Sequence, residues 1–138
     1  MTPVDITVRV DGASRGNPGP SGAGAVVEFG DGREPKELCA FLGETTNNVA
    51  EYRALLLALE EAARHAASSI TVHSDSELLV RQLRGEYKVK AEHLRPLHAE
   101  ACRRLRVFPA VRILHVPREE NRRADSLANL AIDQRKKG

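Results

Sequence analysis

Ile6, Val8 and Val10 alternate with Thr7, Arg9 and Asp11, the two-residue period of a half-buried strand. Asp11-Gly12 is expected to end that strand, and SRGNPGPSG reads as a turn-rich loop by its Gly, Pro, Asn and Ser content. Gly22 to Phe29 predicts a second strand, Asp31-Gly32 a hairpin turn, and Lys36 to Leu42 a third strand, so the chain should open as an antiparallel meander. The period then changes. VAEYRALLLALEEAARHA is apolar over most of a helical circumference and should be deeply buried, with Thr45-Thr46-Asn47-Asn48 supplying capping side chains before it. Glu51 shares a face with Leu55, Ala58 and Ala62, which puts an acid on the apolar side, whereas Glu60 and Glu61 read as solvated. Ser68-Ser69 is expected to break this helix. Ile70 to Ser74 and Val111 to Val116 predict further strands, and Ser76 to Leu83, Leu94 to Leu105 and Arg122 to Arg135 predict helices. Pro96 falls where a helix tolerates it, in the first turn. Strands and helices alternate after residue 45, so the later strands should run parallel to the first, while Arg135-Lys136-Lys137-Gly138 reads as a frayed basic tail.

Four acids stand where these elements begin or end: Asp11 and Asp75 at strand ends, Glu51 and Asp125 in the first turns of helices. Three have an ordinary explanation, an Asp-Gly turn for Asp11, a helix cap for Asp75 and a dipole partner for Asp125, whereas Glu51 on its apolar face has the weakest one. In open α/β sheets, however, sites form at the carboxyl ends of strands. If the first and fourth strands are neighbours, all four acids face one cleft. Crowded carboxylates repel one another unless a cation compensates, and an all-oxygen donor set suits a hard divalent ion such as Mg²⁺.

Composition narrows the class. The 138 residues fit one domain, 41% apolar and 29% charged, as in a globular protein. No apolar run approaches the roughly 20 residues of a membrane helix, and MTPVDITV lacks the features of a secretory signal. Cys39 and Cys102 lack metal-like spacing and fit reduced thiols of a cytoplasmic protein; without a Cys/His cluster, nothing favours zinc. Residues 1–69 hold 6 Lys/Arg against 10 Asp/Glu, and residues 70–138 hold 15 against 9. That asymmetry allows a basic surface beside an acidic site, which suits a polyanionic substrate.

DGASRGNPGPSGAG, TTNNVAEYRAL, SDSELLV and REENRRADSLAN, in that order, resemble the signature blocks of the ribonuclease H type 1 family across residues 4 to 134. The resemblance implies an α/β fold: a five-stranded mixed sheet, an antiparallel meander followed by parallel strands, flanked by helices. It implies an endonuclease that hydrolyses the RNA strand of RNA–DNA hybrids, leaving 3′-hydroxyl and 5′-phosphate ends. By the same resemblance two Mg²⁺ ions, with Mn²⁺ as a possible substitute, are held by Asp11, Glu51, Asp75 and Asp125. Asp11 would bridge both ions, Glu51 and Asp75 would bind one, and Asp125 the other.

The resemblance also places Gly12, Ala13, Ser14, Asn17, Asn47 and Asn48 along the minor groove of the hybrid, with Glu77 near a base or sugar. Asn17 and the Asn47-Asn48 pair equally suit turns. The basic protrusion of many relatives is shortened to GEYKVKAEHLRPL, leaving Lys88, Lys90 and Arg84 as phosphate contacts and implying weaker hybrid binding. The loop before the last acid, HVPREENRRAD, is short. Arg118 resembles the arginine that replaces a product-release histidine in compact members, with His115 as its rival. His73 reads as a strand residue beside the core. A monomer acting on a hybrid duplex, with no membrane partner, is the expected state. The alternative function is a non-catalytic hybrid-binding module of the same fold.

Overall fold

The structure, a computed structural model, describes residues 3–136. Five strands form one sheet, ordered β3-β2-β1-β4-β5: β1 (Val4–Ser14), β2 (Gly19–Phe29), β3 (Lys36–Thr45), β4 (Ala67–Ser74) and β5 (Val111–His115). β1, β2 and β3 pair antiparallel, and β4 and β5 add in parallel. The meander and the parallel extension are those expected from the chain's periodicity.

Helices cover both faces. On one side lie α1 (Asn47–Ala62) and α3 (Arg95–Leu105), and their buried residues share a core with Ile6, Val8, Val10, Ala23, Ala25 and Val27. A Cβ on Gly24, whose side faces away from that core by the strand alternation, would meet α4 (Arg122–Asp133), so α4 lies on the other face. The short α2 (Glu77–Leu83) packs beside β5, where Arg84 donates two hydrogen bonds to the Ile113 carbonyl. Among the described residues no helix is long and apolar enough to cross a membrane.

Several boundaries differ from the sequence reading. β1 does not end at Asp11-Gly12; it continues to Ser14, because Gly12 and Ala13 pair with Ala23 and Gly22 of β2. The expected long loop shrinks to residues 15–18. Asp11 nevertheless terminates something, since the parallel ladder with β4 stops at Val10 opposite Ser74. β3 likewise runs past Leu42 to Thr45. α1 ends at Ala62, and Ser68-Ser69 lie inside β4 rather than breaking a helix, their hydroxyls both donating to the Asp5 carboxylate.

Glu61 is buried, 4% exposed, not solvated. Arg64 and His65, one turn on, and Lys36 from β3 surround its carboxylate at 3.0–3.3 Å. The final helix ends at Asp133, two residues before the expected Arg135, and a 3₁₀ turn (Gln134–Lys136) follows; Lys137 and Gly138 of the expected basic tail lie outside the described residues.

Candidate active site

One close backbone approach and two helix caps build the cleft. Gly12 faces the start of α1, where a Cβ would stand 2.4 Å from the Ala50 carbonyl carbon and 2.5 Å from the Glu51 nitrogen. Only a residue without a side chain lets β1 abut that first helical turn. Thr46 caps α1 by accepting from Val49 N–H, so the turn holding Glu51 is pinned at its start. After β4, Ser76 rather than Asp75 caps α2, and Ser74 accepts from the Ser76 N–H. Asp75 is thereby free of the capping duty that its position suggested.

Asp11, Glu51 and Asp75 offer carboxylate oxygens that all lie within 4.8 Å of one another. Asp11 and Glu51 are each only 5% exposed. Burial, then the charge of Asp75, pushes the Asp11 carboxyl up to about 8. Glu51 is raised well above the usual carboxylate range by burial and by the charges of Asp11 and Asp75, although the Gly12 backbone N–H opposes this with a hydrogen bond. Asp75 is raised by burial, against the pull of Arg118 and of the Asn121 amide. One Glu51 oxygen, Oε2, is buried without a hydrogen-bond partner.

An orphaned acceptor inside a set of mutually repelling carboxylates fits a bound divalent cation, and the all-oxygen donors fit a hard one. Asp125 lines the same cleft, of about 230 Å³, but stands outside the compact triad. Gly12, Ala13, Ser14, Asn47 and Arg118 line it with the four acids.

The chain matches the family model described as reverse transcriptase-like over residues 9–131. It is 42% identical to ribonuclease HI of Halobacterium salinarum, over 96% of this chain and 72% of that protein. This chain belongs to the ribonuclease H type 1 family. The N-terminal RNase H domain of a Mycobacterium tuberculosis protein superposes with a TM-score of 0.90 at 42% identity, covering 94% of each chain. The present chain spans only 35% of that full-length bifunctional protein. A third relative, LC11-RNase H1 solved in complex with an RNA/DNA hybrid, superposes at 0.87 with 43% identity, covering 94% of this chain and 97% of that one. Ribonucleases H of this family are metal-dependent.

The other candidate residues of this ribonuclease H scatter around the cleft. Asn17 sits in the β1–β2 turn, where its Oδ1 accepts from the Asn47 N–H at 3.0 Å, so it holds the turn against α1. Asn48, Lys88 and Lys90 line a separate groove of about 550 Å³ together with Leu78, Gln82 and Tyr87. Glu77 is exposed and paired with Arg81 at 3.1 Å, outside the cleft lining. His115 ends β5, its Nε2 donating to the Asp75 carbonyl at 3.3 Å, and the cleft lining does not include it. His73 contacts Arg9 across the β1–β4 pair and does not line the acids' cleft.

The sequence reading overlooked Asn121. It is 1% exposed and donates from Nδ2 to the Val10 carbonyl at 2.8 Å, and its amide favours the charged form of Asp75. Its backbone carbonyl accepts the Asp125 N–H at 3.2 Å, and its side-chain Oδ1 is buried without a hydrogen-bond partner. The Asn121 side chain therefore holds the residue before Asp11 and favours ionised Asp75, while its backbone carbonyl begins the helical turn that carries Asp125. An asparagine at the helix start four residues before a candidate acid was the available signal.

Proposed function

We propose that this protein hydrolyses the RNA strand of RNA–DNA hybrids, with Asp11, Glu51, Asp75 and Asp125 holding two Mg²⁺ ions for which Mn²⁺ can substitute. The convergence of three carboxylates within 4.8 Å, one with a buried unpartnered oxygen, carries this reading. Ions bound there would supply Lewis-acid chemistry, lowering the pKa of water and neutralising charge on the leaving ribose oxygen. The chain's own residues do the rest. Asp11, at the end of the β1–β4 ladder and between Glu51 and the α4 side, is suited to bridging, with Glu51 and Asp75 on one ion and Asp125 on the other. The Gly12 N–H favours the ionised form of the Glu51 carboxylate.

Gly12, Ala13 and Ser14 present small groups and backbone at the cleft wall, which lets the wide minor groove of a hybrid approach and its 2′-hydroxyls be felt. Asn47 continues that wall with Asn17 bonded to it, Asn48 would meet the duplex from the neighbouring groove, and Glu77 would contact a base or sugar beyond the cleft. Lys88 and Lys90 offer phosphate contacts in the neighbouring groove. Arg118, inside the cleft, attracts the phosphate; always protonated, it serves by charge and not as a proton shuttle. Cleavage leaves 3′-hydroxyl and 5′-phosphate ends. The protein would act as a monomer and in the cytoplasm, the compartment that its two free thiols fit.

The test incubates labelled hybrid, double-stranded RNA and double-stranded DNA with the protein in Mg²⁺. Hybrid RNA should be cut, and Asp75→Asn should lose more than the roughly 10–100-fold that removing an outer partner of a metal ligand costs. Retarded migration of intact hybrid, without cleavage, would instead establish a binding module.

A further inference from the structure

Asp125 is the acid outside the compact triad, and its surroundings on α4 explain what holds it. One helical turn on, Asn129 donates from Nδ2 to the Asp125 carboxylate at 3.3 Å and to the Asp125 backbone carbonyl at 3.0 Å. Arg15, from the β1–β2 turn, reaches the other end of that amide: its Nη2 donates to Asn129 Oδ1 and to the Asn129 carbonyl, both at 3.4 Å. A second nitrogen of the same guanidinium pairs with Asp133 at 2.7 Å, a further turn along the same face.

We propose that Arg15 and Asn129 form a positioning pair that aims the Asp125 carboxylate at its cation and ties it to the β1–β2 turn. A guanidinium can only donate, so Arg15 claims the oxygen end of the Asn129 amide and leaves the NH₂ end for Asp125. Without Arg15 the amide can turn over and present its oxygen to the carboxylate, which repels it. The amide is neutral. It orients Asp125 without cancelling the charge a cation needs, as a lysine in its place would. The turn that carries Arg15 also holds the start of α1 through Asn17 and the Asn47 N–H. One short turn therefore braces both helices that deliver acids to the cleft.

This inference rests on the reading of the four acids as cation ligands. The test titrates Mg²⁺ in two ways on the full chain: thermal unfolding without substrate, and hybrid cleavage. Asn129→Ala and Arg15→Ala should each raise the Mg²⁺ concentration for half-maximal cleavage by about 10-fold. Both should move the midpoint of the thermal response in the same direction and leave the hybrid KM at saturating Mg²⁺ unchanged. The double variant should be no worse than either single one, because the two residues act through one contact. An unchanged Mg²⁺ midpoint in Asn129→Ala overturns the pair. So does an Arg15→Ala effect confined to hybrid KM and additive with Asn129→Ala, which would make Arg15 a direct phosphate contact. The metal-free melting curve shows that each variant folds. If the parent protein binds Mg²⁺ but leaves the hybrid intact, the proposed substrate fails while the thermal titration still decides the pair.

Discussion

Asp11 shows most sharply how a residue's chemistry depends on where the fold puts it. Its carboxyl, pushed up to about 8 by burial and by Asp75, keeps a proton that the unfolded chain has released from about pH 3.8 upward. The folded state thus binds more protons across that window, and stability without metal must fall as pH rises from about 4 to 8. Asp11→Asn removes this penalty. In chelator, the variant should melt higher than the parent at pH 8, by a margin that shrinks towards pH 5, and should lose most of the stabilisation that Mg²⁺ gives the parent. Equal pH slopes for the two proteins would show that Asp11 does not titrate in this range. Arg118 and His115 separate in the same way. Only Arg118 lines the cleft, so steady-state hybrid cleavage should fall several-fold with Arg118→Ala and little with His115→Ala. The four acids, like Arg118, were legible as residues because each sits in a distinctive local pattern. Glu61 was not: its spacing from Ala54 and Ala58 already put it on the buried face, but the Lys36 that helps hold it comes from a strand far away in sequence.

Among the elements, α4 depends on its contact with β2. A Cβ at Gly24 would stand 2.2 Å from the Ala124 carbonyl oxygen and 2.5 Å from the Ala128 nitrogen, both backbone atoms that cannot swing aside. Gly24 also lies directly opposite Asp11 in the β1–β2 register. Gly24→Ala should therefore push α4, and Asp125 with it, off the sheet. Urea unfolding should show a loss of about 1–3 kcal/mol, the usual range for overpacking, and the Mg²⁺ requirement for cleavage should rise as well. A stability loss with an unchanged Mg²⁺ requirement would mean that α4 yields without moving its acid. Strand and helix identities were readable from periodicity, and the boundaries less so. β1 passes Asp11 because Gly12 and Ala13 find partners in β2, and Ser68-Ser69 join β4 because Asp5 accepts from both hydroxyls. Pairing partners of this kind lie outside the local window from which a boundary is read.

At the scale of the molecule, an acidic cleft and a groove bearing Lys88 and Lys90 lie in succession around the N-terminal turn of α1, the first lined by Asn47 and the second by Asn48. A duplex held at the cleft would lay its backbone along the lysines. Each phosphate contact removed should lower the slope of log affinity against log salt by about 1. Lys88→Ala/Lys90→Ala should therefore bind hybrid more weakly at low salt, with a salt slope shallower by up to about 2. An unaltered slope, measured with Asp75→Asn as background to prevent cleavage, would remove these lysines from the interface. The sequence by itself determined the order and kind of the elements and the identity of the acids, because periodicity and signature blocks are written in neighbouring residues. Only the tertiary structure decided that Glu51 Oε2 is left without a partner, that Asn121 reaches the Val10 carbonyl beside Asp11, and that Arg15 reaches Asn129. Those facts depend on distances between stretches about 40 to 115 residues apart, which are set when the sheet closes and α1 and α4 settle onto its glycines.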